Sequence, residues 1–150
     1  MRVVIQRVSE ASVTVEGRTI SSIGRGLLIF VGIESIDEES DIEWLIGKIS
    51  GLRIFADKEE KMNLSVGDIA GDVLVVSQFT LHASTVKGNR PSFLKAAVPN
   101  IAEPLYRKFC DALDSKLCKP SGRGIFGADM KVALINDGPV TILIDSRLRE

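Results

Sequence analysis

The sequence predicts a β-rich, layered α/β domain, its helices packed on two β-sheets in a three-layer α/β/β order. Three observations predict it. Apolar runs of strand length outnumber helical patterns. Two of those runs, GLLIFVGI at 26–33 and VLVV at 73–76, show no alternation, as expected of strands covered on both faces. Only two stretches carry the 3.6-residue period, so helices are expected on one side. A chain of 150 residues buries roughly 68–70% of the surface it exposes when unfolded, enough for one core, and a single domain over residues 1–150 is expected.

Strand-like stretches open the chain at 3–8, 12–16 and 18–22, with Glu16-Gly17-Arg18 as a turn, followed by the buried run 26–33. Residues 37–49 then place Ile42, Leu45, Ile46 and Ile49 at i, i+3, i+4 and i+7, with acids crowding the first turn, which the helix dipole favours. LRIF at 52–55 and VLVVSQFTL at 73–81 read as further strands, and the polar ADKEEKMN between them as a loop. A second helix is predicted over 100–117: Asn100 and Glu103 fit a capping box, Pro104 sits near the first turn, and Leu105, Phe109, Ala112, Leu113 and Leu117 form one stripe. Strands at 130–135 and 140–145 close the chain around NDGPVT, where Asn-Asp-Gly serves a tight turn and the added proline starts a strand or permits a cis peptide.

Charge excludes some partners. A net charge of −1 provides no global basic field for nucleic acid or acidic membranes, so a polyanion has to be gripped locally. Cys110 and Cys118 are eight residues apart, which fits neither a CxxC redox pair nor a zinc pattern, and His82 is the one histidine, leaving metal sites short of ligands. Reduced thiols, no metal and no cofactor are expected. The N-terminus lacks the continuous apolar core of a signal peptide and no run reaches membrane-spanning length, which predicts a soluble, cytoplasmic protein.

Three motifs bear on function. GRGIFG at 122–127 matches G-x-G-x-x-G, but a helix precedes it and a strand follows, the reverse of a dinucleotide site, so a close-approach loop is the better reading. SQFTL at 77–81 puts Ser77, Gln78 and Thr80 at the end of an apolar strand; taken alone, that is ordinary strand-end capping. The loop that follows, HASTVKGNRPSF, carries Lys87 and Arg90, a solvated pair or a clamp for one or two phosphates.

Taken together, SQFTL, RPSF at 90–93, NDGPVT at 136–141, IQRV at 5–8, RIF at 53–55, KMN at 61–63 and FGADM at 126–130 resemble the D-aminoacyl-tRNA deacylases. The resemblance runs from Met1 to about Asp145; His82 and the Arg123-Gly124 pair depart from the family pattern. It implies hydrolysis of the ester between a D-amino acid, or mischarged glycine, and the terminal ribose of tRNA held by its acceptor end. It also implies a homodimer in which a cis Gly138-Pro139 turn enters the partner's site, holds the substrate's amino group with two carbonyls and excludes an L side chain. Arg7 would brace that turn. Backbone amides around Gln78, Phe79 and Thr80, beside Ser77, would stabilise the oxyanion, with the 2′-hydroxyl assisting water, while Phe126 and Met130 would line the adenosine site. An ester is labile enough for positioning and charge stabilisation to suffice, and no Ser-His-Asp arrangement stands near the motifs to favour Thr80 as a nucleophile over His82 as an isolated base or over backbone stabilisation.

Two other readings fit the residues alone. One is a catalytically idle module that binds RNA ends or peptides, which explains Lys87 and Arg90 but not the pairing of Gly-Pro with SQFTL. The other is a metal hydrolase using Asp57, Asp68 or Asp72, residues whose loop positions more simply mean solvated turns.

Overall fold

The computed structural model describes residues 1–149. Its centre is β1 (Arg2–Val15), a single long strand where two were expected. A bulge at Ser9, rather than a break, separates its halves, because Val8 and Glu10 face the consecutive residues Asn136 and Ile135. The first half pairs antiparallel with β3 (Gly26–Gly32) and the second with β2 (Arg18–Ile23) through the Glu16-Gly17 turn, where Gly17 takes φ +77°. β6 (Asp72–Ser77) runs parallel to β3, and the two-residue β7 (Gly122–Arg123) runs parallel to β6. The sheet curls until β7 approaches β2: a Cβ on Gly122 would lie 2.4 Å from Ser21 Oγ, so only glycine fits.

Alternation along these strands feeds two cores. Val3, Ile5, Leu27, Ile29, Val73 and Val75 face the helices α1 (Glu39–Gly51) and α2 (Pro99–Leu117), meeting Leu45, Ile49, Phe109 and Leu113. Val8, Val13, Leu28, Leu74 and Val76 fill the concave side. The molecule is a strand-rich α/β fold with two helices and a nearly closed sheet.

Several boundaries differ from expectation, each for a local reason. The capping box belongs to α1, where Glu38 and Asp41 cap each other's backbone; α2 starts instead at Pro99, whose missing N–H costs nothing at the first helical position. Asp37, expected inside α1, precedes it and is buried against the Met1 amino group at 2.5 Å and against Arg147. LRIF shrinks to β4 (Phe55–Ala56), which pairs with β5 (Met62–Leu64) inside the expected loop. The strand 73–81 ends at Ser77, because Gln78 N–H makes the last rung to Val31 O at 2.8 Å and Phe79–His82 turn into a 3₁₀ helix.

The largest correction concerns NDGPVT. There is no hairpin: β8 (Lys131–Asp145) is one strand antiparallel to β1 throughout. Gln6 faces Thr141 and Val8 faces Asn136, so Arg7 alone stands opposite Asp137, Gly138, Pro139 and Val140, and the surplus residues leave the ladder as a bulge. Asn136 closes its base, with Oδ1 accepting Val140 N–H at 3.1 Å and Nδ2 donating to Thr141 Oγ1 at 2.9 Å.

Both cysteines are free thiols, and burial pushes Cys110 up to about 11, which keeps it protonated and inert. Among the described residues no helix is long and apolar enough to cross a membrane.

Candidate active site

Where β3 and β6 end side by side, the sheet opens into a cavity of ≈ 650 Å³. Ser77, Gln78 and Phe79 form one wall and Phe126 to Met130 another, with Phe93, Ala96, Ala97 and Ala102 among the other lining residues. Phe79 meets Phe93 edge to face with centroids 5.1 Å apart, and Tyr106 backs Phe126 at 5.9 Å. Tyr106 donates its hydroxyl to Val75 O at 2.9 Å, and burial holds that hydroxyl far above the ordinary tyrosine range, so it is a structural donor. The Phe126–Met130 segment is held close: Gly124 N–H donates to Val75 O at 3.0 Å, and a Cβ on Gly124 would press into Met130 Sδ at 2.6 Å. The strand before it is anchored by Arg123, whose Nη2 meets Asp114 at 2.6 Å and Asp111 at 2.8 Å.

The residues singled out from the sequence divide into two groups. Ser77, Gln78, Phe79, Phe126 and Met130 line the cavity together. Thr80 stands just behind them, its Oγ1 accepting a 2.6 Å bond from Gln78 Nε2. Gln78 N–H is already bonded to Val31 O, whereas the amides of Phe79 and Thr80 open the 3₁₀ turn and donate to no carbonyl among the described residues. Phe79 lines the cavity and Thr80 follows it in the chain, so two adjacent amides beside an apolar cavity can stabilise an oxyanion. Phe93, Ala96, Ala97 and Ala102 had not been assigned to the site; the small residues of KAAVP carried the signal, since a wall that a ligand approaches closely favours alanine.

Arg7, Gly138 and Pro139 form the second group and do not line their own chain's cavity. The Gly138-Pro139 peptide is cis. Arg7, its side chain 13% exposed, donates from Nε to Asp137 O at 3.0 Å and from Nη1 to Ile54 O at 2.5 Å, with the Asp137 carboxylate 3.4 Å away. It therefore ties the root of the bulge to the segment before β4.

The three aspartates weighed as metal ligands serve the fold. Asp57 caps a turn through Glu59 and Lys61 N–H, Asp68 caps another through Ser65, and Asp72 pairs with Lys119; these bonds hold all three carboxyls below their usual range. Among the described residues no three His, Cys, Asp or Glu side chains cluster as a metal site.

Replacing Thr80 by alanine removes one hydroxyl acceptor but no amide. The variant is expected to keep its hydrolytic rate within about tenfold of wild type, as a single-turnover assay would measure. Complete loss with a trapped acyl-enzyme in the wild type would make Thr80 a nucleophile instead.

The chain is similar to known proteins over its whole length. A D-aminoacyl-tRNA deacylase of Porphyromonas gingivalis is 65% identical over all of both chains, and one of Flavobacterium johnsoniae is 60% identical over all of both. A solved structure of a c-Myc DNA Unwinding Element Binding Protein superposes with a TM-score of 0.92 at 42% identity, covering 97% of this chain and 98% of that one. The model of the family described as D-Tyr-tRNA(Tyr) deacylase matches residues 4–145, and the chain belongs to that family.

Proposed function

We propose that this chain, acting as one domain over residues 1–150, is a cytoplasmic D-aminoacyl-tRNA deacylase that proofreads the handedness of charged tRNA. It hydrolyses the ester between a D-amino acid and the terminal ribose and releases free D-amino acid and tRNA; glycine mischarged on tRNA leaves by the same route. The curl of the sheet over its own concave core, with both helices outside, supports a three-layer α/β/β description of the domain.

The observation that carries the reading is the pair of adjacent amides on Phe79 and Thr80, without a carbonyl partner among the described residues, beside an apolar cavity lined by parts of the SQFTL and FGADM segments. The adenosine end lies between Phe126 and Met130, and the scissile carbonyl oxygen points at the two amides. Water adds to the carbonyl carbon, the 2′-hydroxyl helping to take its proton. The tetrahedral oxyanion is held by the amides, then collapses, and the carbon–oxygen bond to the ribose breaks as the leaving ribose oxygen takes the proton that water gave up.

Handedness needs a second copy. Gly138 and Pro139 stand outside their own cavity, and β8 pairs with β1 along one edge while its other edge is unpaired among the described residues. Ile135 and Leu143, 55% and 61% exposed, lie on this long edge strand, a surface that monomers usually protect. A two-fold dimer across this region gives each cavity its partner's Gly138-Pro139 turn, whose carbonyls hold the amino group while its backbone occupies the place of an L side chain. Such a wall separates enantiomers more sharply than attraction, which distinguishes similar groups by about 1–3 kcal/mol.

Purified protein incubated with matched D- and L-aminoacyl-tRNA, with and without chelator, tests the reading. D-amino acid should be released at the same rate in chelator. Binding without release would favour the idle module, and chelator-sensitive release a metal hydrolase.

Affinity for tRNA should depend weakly on salt. The exposed cations nearest the site in sequence are few, Lys87, Arg90 and Lys95 among them, so a log–log slope of about −3 or shallower is expected. A slope near −6 would mean contacts well beyond the acceptor end.

A further inference from the structure

The deacylase reading leaves one buried ionisable side chain without a task. His82 ends the 3₁₀ turn and is 3% exposed, yet neither ring nitrogen makes a protein hydrogen bond. Buried polar atoms are nearly always paired, and an apolar side chain of similar size would relieve the cost. The imidazole is thus held where stability alone would not favour it.

The Glu34 carboxylate stands close to the imidazole. His82 Nδ1 lies 3.2 Å from Glu34 Oε1, inside ion-pair distance but off the alignment of a hydrogen bond. Glu34 is anchored by its backbone: its N–H donates to the Asp37 carboxylate at 2.7 Å, its carbonyl accepts Asp37 N–H at 3.1 Å, and it bridges to Ala96. Ala96 and Ala97 wall the cavity. On its other side the turn is pressed against β3, where a Cβ on Gly32 would lie 3.0 Å from both His82 Cδ2 and Gln78 O. Arg2, paired with Asp145 at 2.9 Å, also grips the turn by donating to Leu81 O at 2.7 Å.

We propose that His82 is a positioning residue for deacylation: with Glu34 it ties the turn presenting the Phe79 and Thr80 amides to the Ala96–Ala97 wall. The proposal rests on the deacylase reading. Bonds that matter in the reacting complex are often misaligned without substrate and tighten when it enters, which fits the 3.2 Å contact. Misplacing an oxyanion site by about 1 Å can cost roughly 100-fold in rate.

The test compares wild type with His82→Leu, His82→Asn, Glu34→Gln and Glu34→Ala in release of D-amino acid from D-aminoacyl-tRNA, together with thermal unfolding. His82→Leu keeps the space filled, so its melting temperature should equal or exceed that of wild type. Its kcat should fall by about 10- to 100-fold with KM within about twofold. His82→Asn, whose amide N–H can stand where Nδ1–H stands, should recover most of the rate. Glu34→Gln combined with His82→Leu should fall no further than His82→Leu alone. An active wild type with an equally active His82→Leu would overturn the role of His82, as would a loss confined to KM or one that only tracks melting temperature. If His82→Leu does not fold, full activity in Glu34→Ala, which removes the acceptor that Nδ1 faces, overturns the proposal equally. A wild type that releases no D-amino acid would instead overturn the deacylase reading on which the proposal stands.

Discussion

Replacing Gly138 by alanine is expected to cut hydrolysis of D-aminoacyl-tRNA by about 100-fold or more while the chain still folds. Gly138 holds φ at +127°, a conformation that L side chains rarely adopt. A Cβ there would lie 2.7 Å from Arg7 Nη2 and 2.9 Å from Val140 Cγ2. Arg7 would have to give way, and with it the bonds that hold the root of the bulge. The damage should remain local, because the bulge lies outside the β1–β8 ladder, and a strained backbone position costs about 1–3 kcal/mol. On the proposed reading, the new methyl would also stand at the surface that the turn offers to the substrate's α-carbon. Single-turnover rates and thermal melts on the same preparation check this. A folded variant with wild-type rate on D substrates would separate Gly138 from catalysis.

Arg7→Ala should lose both stability and activity, and more activity than Thr80→Ala. Arg7 links Ile54 O, Asp137 O and the Asp137 carboxylate in one fork. Hydrogen bonds involving a charged group contribute about 1.5–3 kcal/mol each, so a net loss of about 2–4 kcal/mol is expected after water reaches the exposed carboxylate. Arg7→Lys should restore little, since one ammonium cannot span two carbonyls set by a planar guanidinium. Urea unfolding gives the stability and D-aminoacyl-tRNA turnover gives the activity. Retention of both would reduce Arg7 to a surface arginine on an early strand.

The family was legible in the sequence because its short motifs occur together in order, and the two helices because their apolar period is unambiguous. Long-range pairing was not legible. Glu10 looks like a break in an alternating strand, but β8 runs past it and keeps β1 continuous. Asn-Asp-Gly reads locally as a hairpin turn; only the register, with Arg7 facing four residues, makes it a bulge. In sequence Gln78 resembles an oxyanion donor, but its N–H is bonded to Val31 O, 47 residues away in the chain. His82 gave no sign of burial, since its neighbours Ala83 and Ser84 read as loop.

The central claim is that one subunit's Gly138-Pro139 turn reads the substrate held in the other subunit's cavity. Co-expressing differently tagged Gly138→Ala, which spoils the turn, and Ala97→Trp, which fills the cavity, and purifying the doubly tagged dimer tests it most directly. The account predicts two nearly inactive parents and a mixed dimer with about half the wild-type rate on D-aminoacyl-tRNA, from its one site of intact cavity and intact turn. A mixed dimer as inactive as its parents would contradict it.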